Sequence, residues 1–186
     1  MRYVYILLFL ILISCTHNHL SNDVKYLMGQ HFILSSDLSA IRKGKDMSQT
    51  NISEVPVKLV VWYDSLSCGS CEVSRMYAWN EITAYADSLS QWFNILFIFT
   101  PKRGDLQRIN ETLLYNTFDY PVILDRNSTF VKLNPKLPKN RKLHTFLLDK
   151  ENRVVLVGSP LYNPTLWELY KRTIQMMIDN DGVLPE

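Results

Sequence analysis

Two of the three cysteines in the chain stand three residues apart, in Cys68-Gly69-Ser70-Cys71. Side chains at that spacing lie one helical turn apart, close enough to form a disulfide. The first cysteine of such a pair gains a further property if it sits where a helix begins. Unpaired backbone N–H groups and the positive end of the helix dipole then stabilise its thiolate, lowering the pKa from about 8.5 to as low as ~3.5–7.5. Cys71, one turn further in, is expected to be shielded and to resolve a mixed disulfide. That division of labour is thiol–disulfide exchange. The plainer alternative is a structural disulfide, which over so short a loop would staple little.

The flanking residues place the pair correctly for exchange. Val57 to Tyr63 is β-branched and aromatic, continuous apart from Lys58, as a buried parallel strand would be. Asp64 to Ser67 is then a short turn. Gly69 to Ser90 follows with helical spacing, carrying Val73, Met76, Tyr77 and Ala84 on one face. Phe93 to Phe99 predicts a second buried strand, Asp105 to Asn116 an amphipathic helix, and Pro121 to Leu124 a short strand. Thr145–Leu148 and Val154–Val157 are joined by five polar residues and predict an antiparallel hairpin. Asn163-Pro164 is a helix-start signal, followed by a stripe of Leu166, Leu169, Tyr170, Ile174, Met177 and Ile178 that ends near Gly182. Phe32-Ile33-Leu34 predicts a short first strand, and the polar residues 41–55 a loop. The order predicts an α/β fold, a mixed central sheet with helices on both faces and a C-terminal hairpin plus helix.

The N-terminus carries a separate signal. Arg2 precedes a nearly unbroken apolar run, Tyr3 to Ile13, too short for the ~20 residues that span a bilayer and the right length for an export signal. It ends in Leu12-Ile13-Ser14-Cys15, which resembles the lipobox of bacterial lipoproteins. The resemblance implies a signal peptide over 1–14, lipidation of Cys15, a tether over 15–28 and a folded domain over 29–186. It also implies a bacterial cell-envelope protein, held in the membrane by the lipid on Cys15. Thr16, rather than Asp, suggests the outer membrane, with the domain facing the periplasm. Lipidation would remove Cys15 from thiol chemistry and leave Cys68 and Cys71 as one self-contained pair in a compartment that permits disulfides.

With 47% hydrophobic and 12% aromatic residues, a chain of this length can build a real core. Its 20 basic and 18 acidic residues are interspersed, with no basic stripe that would point to nucleic acid. The segment holding Lys132, Lys136, Lys139, Arg141 and Lys142 reads most simply as a solvated loop, with binding of phosphate or anionic lipid as the alternative.

Together, the Cys68–Cys71 motif and Thr145-Phe146-Leu147-Leu148-Asp149 followed by Asn152-Arg153-Val154 resemble the thioredoxin-like superfamily, in particular its lipoprotein-anchored redoxins. The resemblance spans roughly Val57 to Asp179. It implies a thioredoxin-like three-layer fold, a thiol–disulfide oxidoreductase activity without a cofactor, and protein thiols, disulfides and a separate redox partner as the molecules it meets; the alternative is a non-catalytic interaction domain that keeps the fold and has lost turnover. The chain departs from the pattern at several positions. Ser67 and Ser70 replace the usual Trp and Pro of the motif. Trp62 occupies the place of the buried acid, and Asp64 and Glu72 nearby are expected to be exposed. His144 stands where the superfamily has a cis-proline facing the dithiol, and is expected to be trans or strained, given the ~2.5–4 kcal/mol cost of a non-proline cis bond. An imidazole there implies a catalytic proton carrier beside Cys68 and Cys71, or a third ligand in a copper(I) or zinc site made by Cys68, Cys71 and His144. A hydrogen-bonded polar residue is the plainer reading. Copper-assembly relatives in the superfamily keep three residues between their cysteines, and this chain has two. The peroxidatic Pro-x-x-x-Thr-x-x-Cys pattern is absent ahead of Cys68.

Overall fold

The computed structural model describes residues 20–35, 38–47, 54–102 and 104–185. The expected export signal and Cys15 lie outside these residues. Among these, a seven-stranded mixed sheet runs in the order β2-β1-β5-β4-β3-β6-β7. Its centre is the apolar pair β3 (Val57–Tyr63) and β4 (Phe93–Phe99), parallel and in register from Val57 opposite Phe93 to Tyr63 opposite Phe99. β5 (Val122–Leu124) extends the parallel part beyond β4. β6 (Thr145–Leu148) runs antiparallel on the other side of β3 and continues as a hairpin into β7 (Val154–Val157).

Alternation along the strands creates two cores. Leu59 and Val61 of β3 face one side, together with Phe97 and Phe99 of β4. That side is covered by α2 (Gly69–Ser74), α3 (Asn80–Ser88), α4 (Leu106–Tyr115) and α6 (Pro164–Asp179), through Val73, Ile82, Ile109, Tyr170 and their neighbours. Val60 and Trp62 face the other side with Leu96 and Ile98. There the cover is thinner: helix α1 over residues 20–27 contributes Leu27, and α5 (Thr129–Leu133) contributes Phe130. The expected three-layer arrangement is present, and α6 starts as its sequence predicts, with Pro164 in the first turn and the Asn163 side chain accepting from Leu166 N at 3.1 Å.

Four local expectations are corrected. Residues 20–28 do not form a tether, because Val24 and Leu27 recur at helical spacing and dock on the second core. Phe32 to Leu34 is extended but is not a strand. The Asn134 side chain takes the place of a strand neighbour, accepting from Ile33 N at 2.7 Å and donating to Ile33 O at 2.9 Å. The first strands fall instead at the start of the expected loop 41–55, as β1 (Ala40–Arg42), which begins one residue before it, and β2 (Lys45–Asp46), with β1 antiparallel to β5. Lys43 and Gly44 join them at φ 52° and 70°, the positive pair that a tight hairpin turn requires. Finally, the helix predicted from Gly69 to Ser90 is interrupted. α2 ends at Ser74, a 3₁₀ turn covers Met76–Trp79, and α3 resumes at Asn80.

Candidate functional site

Cys68 and Cys71 are joined by a disulfide with a Cα–Cα distance of 5.2 Å. Cys68 is the N-cap of α2, at the point where the chain leaves the C-terminal end of β3, and no side chain caps the helix there. The Cys68 sulfur lies 3.7 Å from Ser70 Oγ. Both cysteines are exposed, which corrects the expectation of a shielded Cys71. The helix phase explains this. Gly69 and Val73 turn inward, and a Cβ added at Gly69 would lie 2.5 Å from Ile109 Cδ1 of α4. With Gly69 pointing inward, Cys71 lies roughly 200° around the helix, on the solvent side.

The turn that delivers Cys68 is organised by Asp64. Its Oδ1 accepts from Leu66 N (3.0 Å), Ser67 N (2.9 Å) and Ser67 Oγ (2.8 Å). Its Oδ2 accepts from Arg141 Nε at 3.1 Å. The side chain is 12% exposed, against the expectation of a solvated acid. Burial acts to raise its pKa, but the Ser67 hydroxyl and the Arg141 guanidinium outweigh it and hold the carboxyl below its usual value. The signal for this role was the Asp64-Ser65-Leu66-Ser67 sequence itself, an acid two and three residues ahead of the N–H groups it binds.

His144 directly precedes β6 and lies beside Trp62 of β3, whose N donates to its carbonyl at 2.9 Å. Its peptide bond is trans, and its ring lies over the indole of Trp62 with centroids 4.1 Å apart. Trp62 belongs to the second core, whereas α2 packs on the first. Nε2 lies 2.8 Å from Pro138 O, and since a carbonyl only accepts, the neutral ring carries its proton there. Burial pushes the His144 pKa down, opposed in part by the Pro138 carbonyl and Asp64. Among the described residues, no three His, Cys, Asp or Glu side chains gather as metal ligands. His144 meets the redox turn through Asp64.

A buried acid does exist, but it comes from the end of β5. Asp125 accepts from Thr129 N (2.6 Å), Phe130 N (3.1 Å) and Thr100 Oγ1 (3.4 Å), and Thr100 Oγ1 in turn accepts from Trp62 Nε1 (3.1 Å). Trp62 thus hands its indole N–H to a polar relay that runs through Thr100 to Asp125. Beside this relay, at the ends of β3 and β4, opens a cavity of about 430 Å³ lined by Trp62, Leu66, Thr100, Leu137, Lys139 and His144 among others.

No family model matches the chain, and no curated protein matches it. Solved structures do. A Chlorobium tepidum protein named provisionally as the thiol:disulfide interchange protein DsbE matches with a TM-score of 0.50 at 15% identity, over 78% of this chain and 98% of that one. An oxidised thioredoxin-like protein matches with a TM-score of 0.50 at 14% identity, over 80% of this chain and 97% of that one. The chain thus has the thioredoxin-like fold, with a Cys-x-x-Cys disulfide at the start of the helix that follows its central strand.

Proposed function

We propose that the protein is a thiol–disulfide oxidoreductase of the bacterial cell envelope, tethered to the outer membrane by lipid on Cys15 and working in the periplasm. The observation that carries the redox reading is an exposed disulfide at the N-cap of α2, delivered by a hydrogen-bonded turn from the end of β3. In the disulfide form, a substrate thiolate attacks Cys68 Sγ, a mixed disulfide forms, and Cys71 leaves as thiolate. A second substrate thiolate then attacks the mixed disulfide and releases Cys68. The substrate loses two electrons and two protons, the protein gains them, and a separate disulfide partner must take them off again. The reverse sequence reduces a substrate. Neither direction needs a cofactor.

The test is trapping. In the reduced full chain, Cys71→Ser should accumulate a mixed disulfide through Cys68 with a two-cysteine peptide disulfide, whereas Cys68→Ser should abolish net exchange. Equal, slow alkylation of Cys68 and Cys71 across pH 5–9, with no mixed disulfide, would leave a structural staple instead. Anchoring is tested separately: Cys15→Ala should remove lipid labelling and membrane attachment, and an unmodified Cys15 thiol in the mature protein would overturn it.

A further inference from the structure

The parallel strands β3 and β4 end side by side, at Tyr63 and Phe99. Open α/β sheets bind ligands outside the C-terminal ends of such strands. Two features share this edge. On one side the chain turns through Asp64–Ser67 into α2 and its disulfide. On the other is the cavity of about 430 Å³, with the Trp62–His144 stack as one wall and the segment through Leu137, Pro138 and Lys139 as another. Leu66 belongs to both: it lines the cavity, is 70% exposed, and stands two residues from Cys68. An extended chain advances ~3.3–3.6 Å per residue, so the cavity rim lies within about 7 Å of the Cys68 backbone.

The rim is also charged. Lys132, Lys136, Lys139, Arg141 and Lys142 are all exposed on the segment that forms the outer wall or continues from it. Asp64 is the only carboxylate among the residues lining the cavity, and Arg141 is already bonded to it. Lys136 donates to the neutral side chain of Gln30. Asp23 lines an adjoining cavity with Tyr26 and Leu27 that shares Pro135, Leu137, Pro138 and Lys139 with this one, and of the described residues is the single carboxylate facing the exposed lysines there. The surplus on the cavity side is therefore positive.

We propose that this cavity is a side-chain subsite for a polypeptide substrate, one that takes an aromatic or branched apolar side chain two or three residues from the substrate's cysteine, in a segment that also carries carboxylates for the Lys139 rim. The subsite deepens the redox reading and rests on it. The volume is at the small end of the ~300–1,000 Å³ typical of ligand pockets, suited to one large side chain. Apolar walls of Trp62, Leu66 and Leu137 favour burial of that side chain, and the lysines decide the charge of what flanks it.

The experiment uses the full chain in its disulfide form and four synthetic dithiol peptides. They carry Phe or Ala two residues from the attacking cysteine, and Glu or Lys beside that position. Single-turnover oxidation is followed against peptide concentration, with dithiothreitol as a small neutral control. The Phe–Glu peptide should half-saturate at a concentration roughly tenfold or more below the Ala–Glu peptide. It should also half-saturate several-fold below the Phe–Lys peptide, and salt should weaken that second preference only. Lys139→Glu should invert the Glu-over-Lys preference. Four peptides with the same half-saturation, alongside normal oxidation of dithiothreitol, would overturn the subsite and leave the redox reading intact. Failure to oxidise dithiothreitol and every peptide would overturn the redox reading and the subsite with it. Should Lys139→Glu not fold, the wild-type comparison among peptides still decides.

Discussion

Two turns in this protein are built on an aspartate whose carboxylate gathers the N–H groups that follow it, and they differ in where the balancing arginine comes from. In the turn between β6 and β7, Asp149 Oδ1 accepts from Glu151 N (2.9 Å) and Arg153 N (2.8 Å), and Oδ2 accepts from Arg153 Nε (2.8 Å). Every partner lies within four residues, so the turn closes on itself. In the turn ahead of Cys68, Asp64 gathers Leu66 and Ser67 in the same way, but its guanidinium comes from Arg141, 77 residues away. The first turn is a local hinge for a hairpin. The second ties the disulfide turn to the segment that walls the cavity. A similar carboxylate–arginine pair can thus serve the hairpin alone or link two distant parts of the site, depending on how far along the chain the partner stands.

The largest separable effect should come from the local turn. Asp149→Ala removes the acceptor for three hydrogen bonds, two of them from backbone N–H groups, and should lower stability by about 2–3 kcal/mol. Denaturant unfolding measures the loss, and the exchange rate per folded molecule should stay at the wild-type value. A fall in that rate would mean the hairpin turn also takes part in the site, and the contrast between the turns would fail.

Gly69→Ala comes next. The new Cβ meets Ile109 Cδ1, so either Ile109 changes rotamer or α2 moves off α4, and overpacking of this kind costs about 1–3 kcal/mol. If α2 moves, the alkylation rate of reduced Cys68 changes along with the unfolding midpoint. If Ile109 yields, only the midpoint shifts. The two measurements together report how firmly packing, rather than the turn, positions the disulfide.

At Asp64 the effect on stability should be smaller and the effect on chemistry larger. Asp64→Ala frees the Leu66 and Ser67 N–H groups and should slow exchange several-fold. Asp64→Asn keeps an acceptor for those groups and should recover most of the rate. Its charge contribution has a defined pH window. The folded carboxyl titrates below its usual value, so its stabilisation is present above the unfolded pKa near 3.9 and is lost as pH falls through the folded value. Unfolding midpoints of wild type and Asp64→Asn should therefore converge at strongly acidic pH and separate above it. Equal separation at every pH would remove the carboxylate from the account.

The smallest expected effect belongs to His144. Burial lowers its pKa, so around and below the unfolded value of about 6.5 the unfolded chain binds more protons than the folded one. Stability should fall as pH drops from 7.5 to 5.5, and His144→Gln, which retains a donor for Pro138 O, should flatten that slope. An unchanged slope would show that His144 does not titrate with folding.

Much of the fold was legible because its signals are local. β3 and β4 are seven-residue runs of β-branched and aromatic side chains, and burial on both faces leaves little else for them to be. Asn163-Pro164 specifies the start of α6 through one hydrogen bond and one fixed φ angle. The Cys68–Cys71 spacing permitted the disulfide that the structure contains. The misplaced elements lacked such signals. Phe32 to Leu34 has strand-forming residues, yet Phe32 makes one backbone bond, to Asn152 O, and Ile33 is held by a side chain 101 residues away. The β1–β2 hairpin is too short for alternation to register, and its one clear mark was a Lys-Gly pair able to take positive φ.

The candidate site divides along the same line. Sequence alone determined which atoms could do redox chemistry, because a Cys-x-x-Cys pair on a strand-to-helix turn depends only on neighbours a few residues apart. Only the tertiary structure decided the exposure of Cys71, since the phase of α2 follows from where Gly69 meets Ile109 of another helix. Only the tertiary structure carried the His144 ring onto Trp62 and its Nε2 to Pro138 O, because the side of the sheet a residue faces depends on how distant strands pair. And only the tertiary structure brought Arg141 to Asp64 and set a lysine-bearing wall beside the redox turn, an encounter between chain segments more than seventy residues apart for which no local pattern exists.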